Sequence, residues 1–419
     1  MENVMLRNLK VQFESFPLTF RVLIAGTFID RIGGALISPF LSLYVAQRFN
    51  VGMTEIGLLF GVWSVSSLIG SMIGGALADK FGRKVIMIYG LIFSAFTALL
   101  MGFVNDIRAF YFIALFAGIF SDIGGPAQQA MVADLLEGEQ RSEGFGLVRV
   151  VGNLAMTIGP AIGGLLAGIS YLLLFVIDAC ASTITAVIVY KTIPETKPER
   201  KDDQPSESVM QTLKGYFTVS KDGKFMAFIM ATVIMVLVYT QMYSTLPVFL
   251  NRFHGVSTQG FGYLMSMNAA MVVIMQFSIT RRIRKFQPML MMMAASFLYG
   301  IGYVMFGFVD QYIFFMAAMA IITIGEMIHI PVAQTLVASF APEDMRGRYM
   351  ATYGLGWAIP NSVAALLAGL VMDNYNPNLL WYIAGALSLV AVASFWRLQV
   401  RAHDRLETVP ANEAAAKPE

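Results

Sequence analysis

A short charged loop between two long apolar segments constrains this chain more than any other feature. Residues 75–84 read Gly-Ala-Leu-Ala-Asp-Lys-Phe-Gly-Arg-Lys, and four of these ten side chains are charged. The loop cannot lie in hydrocarbon, where one charged side chain costs about 2.5–3.5 kcal/mol or more. We therefore expect a tight loop at a membrane surface, joining two helices that cross the bilayer. Three of the charges are positive, which predicts the cytoplasmic surface.

The composition agrees with a membrane protein. Of the 419 residues, 57% are hydrophobic and 13% are charged, and the mean hydropathy is +0.66. A soluble chain of this length exposes far more charge, so most helices must face lipid or other apolar helices. The formal charge of +2 lies in loops rather than on one basic face, which argues against a nucleic-acid partner. Cys180 is the only cysteine, which excludes disulfides and cysteine-based metal clusters.

Twelve apolar segments are long enough to cross a bilayer, which takes about 20 residues. One long hydrophilic stretch separates the sixth segment from the seventh. The segments lie near residues 20–44, 55–78, 84–103, 109–134, 145–168, 171–190, 225–249, 259–280, 287–308, 312–338, 348–372 and 379–398.

The basic residues predict the orientation of these segments. They concentrate on the side of the membrane that holds both termini, and the opposite loops are nearly free of them, so both termini should be cytoplasmic. The first side carries Arg7, Lys10, Arg21, Arg281, Arg282, Arg284, Lys285, Arg397, Arg401 and Arg405, and the other carries Arg48, Arg108 and Arg252.

The hydrophilic stretch divides the chain into four predicted parts. Residues 1–192 form an amino-terminal six-helix bundle, 193–224 a central loop, 225–400 a carboxy-terminal six-helix bundle and 401–419 a tail. In the second part of the loop, apolar residues recur every four positions, which predicts a short amphipathic helix on the inner membrane surface. An unstructured linker is the alternative. The apolar positions are Val209, Leu213 and Phe217.

The loop at 75–84 fits the pattern GxLaD(R/K)xGR(R/K) and resembles the signature loop between helices two and three of the major facilitator superfamily. The resemblance implies an all-α fold of twelve transmembrane helices, in two pseudo-symmetric six-helix bundles around a central cavity, that works by alternating access. It also implies a conformational gate in which Arg83 pairs with Asp134. The gate residues are Gly75, Asp79, Gly82, Arg83 and Asp134.

Internal repeats agree with this construction. Residues 126–133 match residues 331–338, and the sequence at 165–168 recurs at 366–369. Two matches in the same order indicate duplicated halves, and substrates of such transporters bind between the halves near the bilayer midplane.

A second motif lies in the fifth segment. Residues 152–164 resemble the gxxxGPxxGG motif of the drug:proton antiporter branch, which implies an exporter. Several of its glycines fall roughly on one helical face, which predicts close approach of a neighbouring helix, and its proline predicts a bend. Ordinary glycine-lined packing is the alternative. The motif residues are Gly152, Gly159, Pro160, Gly163 and Gly164.

Ionisable residues inside apolar segments are costly, so each needs a reason. Glu326 and His329 are three residues apart in the tenth segment and share a helical face. The surrounding sequence resembles the tenth span of LmrP- and MdtH-type multidrug exporters, which implies that the glutamate faces the cavity. A carboxylate in a poorly solvated cavity can exchange protons near neutral pH. We expect Glu326 to couple protons or bind substrate; the alternative is a strut hydrogen-bonded to His329.

The amino-terminal half offers further candidates. Asp122 in the fourth segment is its coupling candidate, although residues 115–118 lack the arginine that antiporters of this group often carry there. Asp30 and Arg31 point about 100° apart and cannot both face one partner; structural pairing with other helices is the alternative for them. Asp178 lies on a segment expected at the periphery, and we interpret it as structural.

The seventh and eleventh segments supply polar and aromatic groups suited to amphipathic or cationic molecules. The candidate binding residues there are Tyr239, Gln241, Tyr243 and Asn361.

Together these features predict a secondary transporter, a proton-coupled antiporter that exports hydrophobic or cationic drug-like compounds. The alternatives are a lipid or glycolipid flippase, a proton-coupled uptake symporter and, more remotely, a non-transporting membrane sensor. No nucleophile–base pair, phosphate loop or metal cluster is visible in the sequence, so we expect no enzyme activity, cofactor or metal. The expected partners are a small molecule, protons and membrane lipids, for a monomer in the bacterial cytoplasmic membrane.

Overall fold

The structure is a computed structural model and describes residues 13–197, 218–342 and 345–401. Every regular element in these ranges is a helix. The helices are α1 (Leu18–Ile37), α2 (Leu41–Phe49), α3 (Met53–Phe81), α4 (Arg83–Phe103), α5 (Ile107–Ile123), α6 (Gly125–Leu135), α7 (Gly138–Ala167), α8 (Tyr171–Thr192), α9 (Gly223–Tyr239), α10 (Gln241–Ser244), α11 (Leu246–His254), α12 (Thr258–Ile283), α13 (Pro288–Phe306), α14 (Tyr312–Phe340), α15 (Arg346–Asn374) and α16 (Leu379–Arg401).

Within the described ranges, 11 helical segments are long and apolar enough to cross a membrane. They correspond to the second through twelfth predicted spans. The first span is α1, whose 20 residues include the charged Arg21, Asp30 and Arg31. With α1, the described residues contain the twelve spanning segments that the sequence predicts.

Three predicted spans are interrupted rather than continuous. The span predicted at 20–44 is two helices, because Pro39 lies between α1 and α2 and cannot donate a helical N–H bond. The fourth span breaks at Gly124, just before Pro126, and the seventh is built from α9, α10 and α11. Such breaks free backbone groups within the membrane, and neighbouring helices must satisfy them.

Contacts between residues divide the chain into two compact units. Unit 1 comprises Met1–Val51, Leu58–Arg200 and Ser257–Ser266, and unit 2 comprises Gly52–Gly57, Lys201–Val256 and Met267–Glu419. The first turn of α3 therefore groups with unit 2 and the start of α12 with unit 1.

In unit 1, α1 packs against α7 and α8, and α4 packs against α8 and α5. The buried core at the end of the unit near the charged loop includes Phe16, Phe20, Ile86 and Met131. In unit 2, α13 packs between α14 and α16, and α9 packs on α15 and α16. Trp381 on α16 is fully buried there, with its ring stacked on that of Tyr303. Each unit thus has its own apolar interior.

Glycines of the predicted motif allow α7 to approach α1. A Cβ at Gly159 would overlap with Ala35, and one at Gly163 would overlap with the carbonyl oxygen of Leu36. Gly152 has open space around it and takes no part in this approach. The predicted close contact is therefore present, but it depends on two of the glycines.

The amphipathic helix predicted over residues 209–217 lies outside the described residues, as does the tail from residue 402 onward.

Substitution of Gly159 tests this helix contact. We expect Gly159→Val to lower the free energy of unfolding by about 1–3 kcal/mol, because the added side chain forces α7 away from α1. The measurement is thermal unfolding of purified protein in detergent. Gly152→Val, which meets open space, is the matched control; equal losses from both substitutions would contradict the packing described.

Candidate functional site

The carboxylate of Glu326 lies in the interior of unit 2, where 9% of the residue is exposed. Its Oε1 accepts a hydrogen bond from the Tyr239 hydroxyl at 2.8 Å, and its Oε2 accepts one from Asn268 Nδ2 at 3.0 Å. The same Asn268 nitrogen lies 2.9 Å from Thr323 Oγ1. Helices α9, α12 and α14 therefore meet at one carboxylate, and both of its donors are uncharged.

Aromatic rings pack around Tyr239, which donates to this carboxylate. The Tyr239 ring lies 5.7 Å from the ring of Trp357, 5.7 Å from that of Tyr243 and 6.1 Å from that of Tyr299. The Tyr303 hydroxyl donates to the backbone oxygen of Tyr239 at 3.1 Å, which fixes the helix that carries the principal donor. Such rings offer faces that attract cations.

The structure places His329 beside this cluster rather than on the carboxylate. His329 is 2% exposed, its ring lies 5.9 Å from the Tyr299 ring, and its Nε2 has no hydrogen-bond partner among the described residues. Because the oxygens of Glu326 bond to Tyr239 and Asn268, the described contacts do not support the alternative of a strut to His329.

The remaining candidates of unit 2 have different surroundings. Gln241 is buried, and its Nε2 donates to the backbone oxygens of Leu237 and Ala364, which ties α10 to α15. Asn361 is exposed on α15 and accepts a hydrogen bond from Thr240 Oγ1 at 2.5 Å. Of the four binding candidates on these segments, Tyr239 and Tyr243 belong to the Glu326 cluster.

In unit 1, Asp30 and Asp178 line one cavity of about 330 Å³. Asp30 Oδ1 accepts a hydrogen bond from Ser182 Oγ at 2.7 Å. Arg31 lines the same cavity, which several helices border. That Asp30 and Arg31 cannot both face one partner stays a prediction. Asp178, interpreted from sequence as peripheral, shares this space.

Asp122 is the penultimate residue of α5, next to the helix break, and accepts a hydrogen bond from Ser67 on α3. It lines a second, smaller space together with Asp30 and Arg31. The structure thus brings all three amino-terminal candidates to adjoining cavities within unit 1. Within the described residues, no group of three or more histidine, cysteine or acidic side chains is arranged to hold a metal ion.

The charged loop contains an ion pair and a carboxylate cap. Arg83 pairs with Asp134 and also donates to the backbone oxygen of Ala130 at 3.3 Å. Gly82, at φ +108°, turns the chain into α4, a conformation that favours glycine. Glu195 accepts hydrogen bonds from the backbone N–H groups of Arg83 at 2.9 Å and Lys84 at 3.2 Å. A carboxylate at this position complements the helix dipole.

Two other candidates of the loop, Asp79 and Gly75, have fewer close contacts. Asp79 is exposed near the end of α3, and a Cβ at Gly75 would meet Pro126 at an ordinary distance of 3.7 Å.

Sequence reasoning missed Asn268, Ser182 and Glu195. A lone asparagine in an apolar helix was a detectable signal, because an unpartnered amide is costly in hydrocarbon. Glu195 follows a proline in a polar stretch and carries no local signal for its cap, since its partner lies more than 100 residues earlier.

Tyr239→Phe tests the principal hydrogen bond at Glu326. We expect the free energy of unfolding to fall by about 1.5–3 kcal/mol, because the buried carboxylate loses one of its two donors. Tyr243→Phe is the control, since its hydroxyl lies 3.4 Å from that of Tyr239 and makes no described bond to Glu326. The measurement is chemical unfolding in detergent micelles; an equal effect of both variants would contradict this assignment.

Glu195→Ala tests the cap on α4. We expect faster hydrogen exchange at the amides of Arg83 and Lys84, because their N–H groups lose the carboxylate acceptor. Exchange is followed by mass spectrometry. Glu137 precedes α7 without a side-chain cap bond, so Glu137→Ala should leave exchange at α4 unchanged. Unaltered exchange in Glu195→Ala would contradict the cap.

Comparison with solved structures identifies the fold. The nucleoside transporter NupG superposes with a TM-score of 0.74 at 14% identity, covering 91% of this chain and 99% of that one. A POT family transporter in complex with 5-aminolevulinic acid gives a TM-score of 0.73 at 13% identity, covering 94% and 99%. At this identity the likeness shows the fold alone.

Comparison of sequences identifies the family. The chain is 26% identical over 383 residues to a Na(+), Li(+), K(+)/H(+) antiporter of Planococcus maritimus, covering 85% of this chain and 90% of that protein. It is 22% identical over 382 residues to the multidrug resistance protein MdtH of Escherichia coli strain SE11, covering 90% and 93%. The family model for the Major Facilitator Superfamily matches residues 23–365 and 328–418. The chain is therefore a multi-pass membrane transporter that belongs to the major facilitator superfamily.

Proposed function

We propose that this transporter is a proton-coupled antiporter that exports hydrophobic or cationic drug-like compounds by alternating access, with Glu326 as the coupling group. The observation that carries the proposal is the environment of that carboxylate. It is buried, its two hydrogen-bond donors are neutral, and it forms no ion pair in the part of the chain that the structure describes.

Because both donors are neutral, no positive group among the described residues of the site is committed to balancing the charge of Glu326. A permanent arginine or lysine partner would hold the carboxylate ionised throughout the cycle, whereas Tyr239 and Asn268 orient it without neutralising it. A poorly solvated carboxylate of this kind is stabilised by a bound proton or by a cationic substrate. Because the two compete for one group, binding of either favours release of the other, which is the requirement for exchange transport.

The aromatic surroundings support the cationic substrate. Tyr239, whose hydroxyl donates to the carboxylate, packs against the rings of Tyr243 and Trp357. Cations over the faces of such rings gain about 0.5–2 kcal/mol. The names of two relatives agree with this reading: one is a multidrug resistance protein, and the other is an antiporter of monovalent cations and protons.

The charged loop supports a gate. The pair between Arg83 and Asp134 and the cap from Glu195 hold one arrangement of the loop. Ion pairs that form in one state and break in another bias a conformational equilibrium. We assign Asp79, Gly75 and Gly82 to the same conformational gate.

We assign the protein to the bacterial cytoplasmic membrane as a monomer with both termini in the cytoplasm. The basic residues at the ends of the spans support this orientation. Its partners are the small-molecule substrate, protons and the surrounding lipid, and the domain boundaries at residues 192, 224 and 400 remain those proposed from the sequence.

Transport in liposomes tests the coupling role. Purified protein is reconstituted, an interior-acid pH gradient is imposed, and movement of a lipophilic cationic dye is followed. We expect gradient-driven dye movement in the wild type and movement at the level of protein-free liposomes in Glu326→Gln, because the amide cannot carry the proton. Glu143→Gln, at an exposed position on α7, is the matched control.

Each other outcome identifies an alternative. Unchanged flux in Glu326→Gln would exclude it as the coupling group and point to Asp122 or Asp30. Wild-type protein that moves protons on addition of Na⁺, but no dye, would favour inorganic cation exchange, as in the antiporter of Planococcus maritimus. If the wild-type protein moves neither the dye nor protons in exchange for Na⁺, the result would favour a lipid flippase, an uptake symporter or a sensor.

A further inference from the structure

An apolar groove on unit 1 lies beside a space that the amino-terminal carboxylates line. The groove has a volume of about 460 Å³ and is walled by α3, α4 and α5, and none of the described residues that line it is charged. Phe81, Tyr89 and Phe93 border it and are 57%, 55% and 40% exposed. In a transmembrane unit, an apolar groove with exposed aromatic walls opens to lipid hydrocarbon.

The groove adjoins a small polar space that we call the neck. The neck has a volume of about 70 Å³, and Gly90 and Phe120 line both spaces. At Gly90, α4 packs closely on the end of α5, since a Cβ there would lie 2.9 Å from Ile123 Cγ2 and 3.2 Å from the nitrogen of Gly124. The neck in turn shares Asp30, Arg31, Ser94 and Ser121 with the cavity that contains Asp178.

Acidic side chains outnumber basic ones in this interior. Asp30 and Asp122 line the neck, and Asp178 lines the adjoining cavity. Among the described residues, the guanidinium of Arg31 is the only positive group in either lining. The described donors to the first two carboxylates are serine hydroxyls, from Ser182 and Ser67. A low-dielectric space with excess negative charge attracts cations.

The dimensions restrict the cation. A space of about 70 Å³ admits a primary ammonium group but excludes a bulky aromatic one, whereas the groove accepts an alkyl chain. Gly90 lies seven residues beyond Arg83 on α4, or about 10 Å along the helix axis. This depth suits an amphiphile whose chain stays in the leaflet next to the charged loop.

We propose that the groove and the neck form one binding site for a single-chain alkylammonium, with the chain in the groove and the ammonium between Asp30 and Asp122. The proposal rests on the proposed export of amphipathic cations and adds an entry site within unit 1 that is separate from Glu326. The substrate enters from the lipid and passes Gly90 to reach the carboxylates.

Chemical modification of a neck residue tests the proposal directly. Ser94→Cys is made in a Cys180→Ser chain, which removes the single native thiol, and the protein is placed in phosphatidylcholine nanodiscs. The reagent is methyl methanethiosulfonate, which is small and uncharged. We expect dodecylammonium to slow modification about tenfold. Ethylammonium lacks the chain, dodecanoate has the opposite charge and dodecanol is neutral, so these three should slow it less than about twofold.

Substitution of one carboxylate locates the ammonium. Asp122→Asn should abolish protection by dodecylammonium, whereas Asp310→Asn, at an exposed position in unit 2, should preserve it. Equal protection by dodecanol and dodecylammonium would overturn the proposal, since the site would then recognise the chain alone. The four-ligand series decides the matter even if Asp122→Asn fails to fold.

The outcome is independent of the coupling experiment. Absence of protection by dodecylammonium, with Glu326-dependent dye movement intact, would overturn this entry site and leave the proposed function standing. Protection without any proton-coupled flux would support the site and overturn the proposed function.

Discussion

This structure depends on one constraint: an ionisable group inside hydrocarbon is costly unless it has a hydrogen-bond or charge partner. The carboxylates inside the spans meet it with neutral donors: Glu326 with Tyr239 and Asn268, Asp30 with Ser182, and Asp122 with Ser67. A hydrogen bond orients a carboxylate and offsets part of its desolvation, but it does not cancel the charge. In the mechanism we propose, the remaining charge is balanced by a proton or a cation that moves, and transport depends on this incomplete compensation.

The charged loop shows the opposite solution. Arg83 is neutralised by Asp134, and the unpaired N–H groups at the start of α4 are capped by Glu195. Here a full ion pair and a helix cap stabilise one arrangement, as a gate requires, whereas the interior carboxylates stay available. Gly82 permits the tight turn that brings these groups together. Charges at the membrane surface are thus paired, whereas the carboxylates inside the spans have neutral donors. This difference agrees with a cycle in which the surface contacts stabilise one conformation and the interior carboxylates bind the transported proton or cation.

Hydropathy predicted the spans well, because the length of an apolar segment is a local property of the sequence. The break at Pro39 also has a local cause in the sequence, but hydropathy alone predicted one continuous helix over residues 20–44. Partners of the site residues were harder to predict. Asn268 and Tyr239 reach Glu326 from helices 58 and 87 residues away, and no local pattern specifies which helix faces lie together. The resemblance to the family placed the span of Asp178 at the periphery, and the structure shows Asp178 lining a cavity that six spans of unit 1 border. Gly152 fitted the motif but not the helix contact.

The central claim is that a proton and a cationic substrate compete for Glu326. Proton release on substrate binding tests this most directly, with purified protein in weakly buffered detergent solution, a lipophilic cation added at saturation and pH followed. The account predicts release of up to about one proton per bound cation in the wild type, with binding but no release in Glu326→Gln. Equal proton release from both proteins would contradict the claim, because the proton would then come from another group.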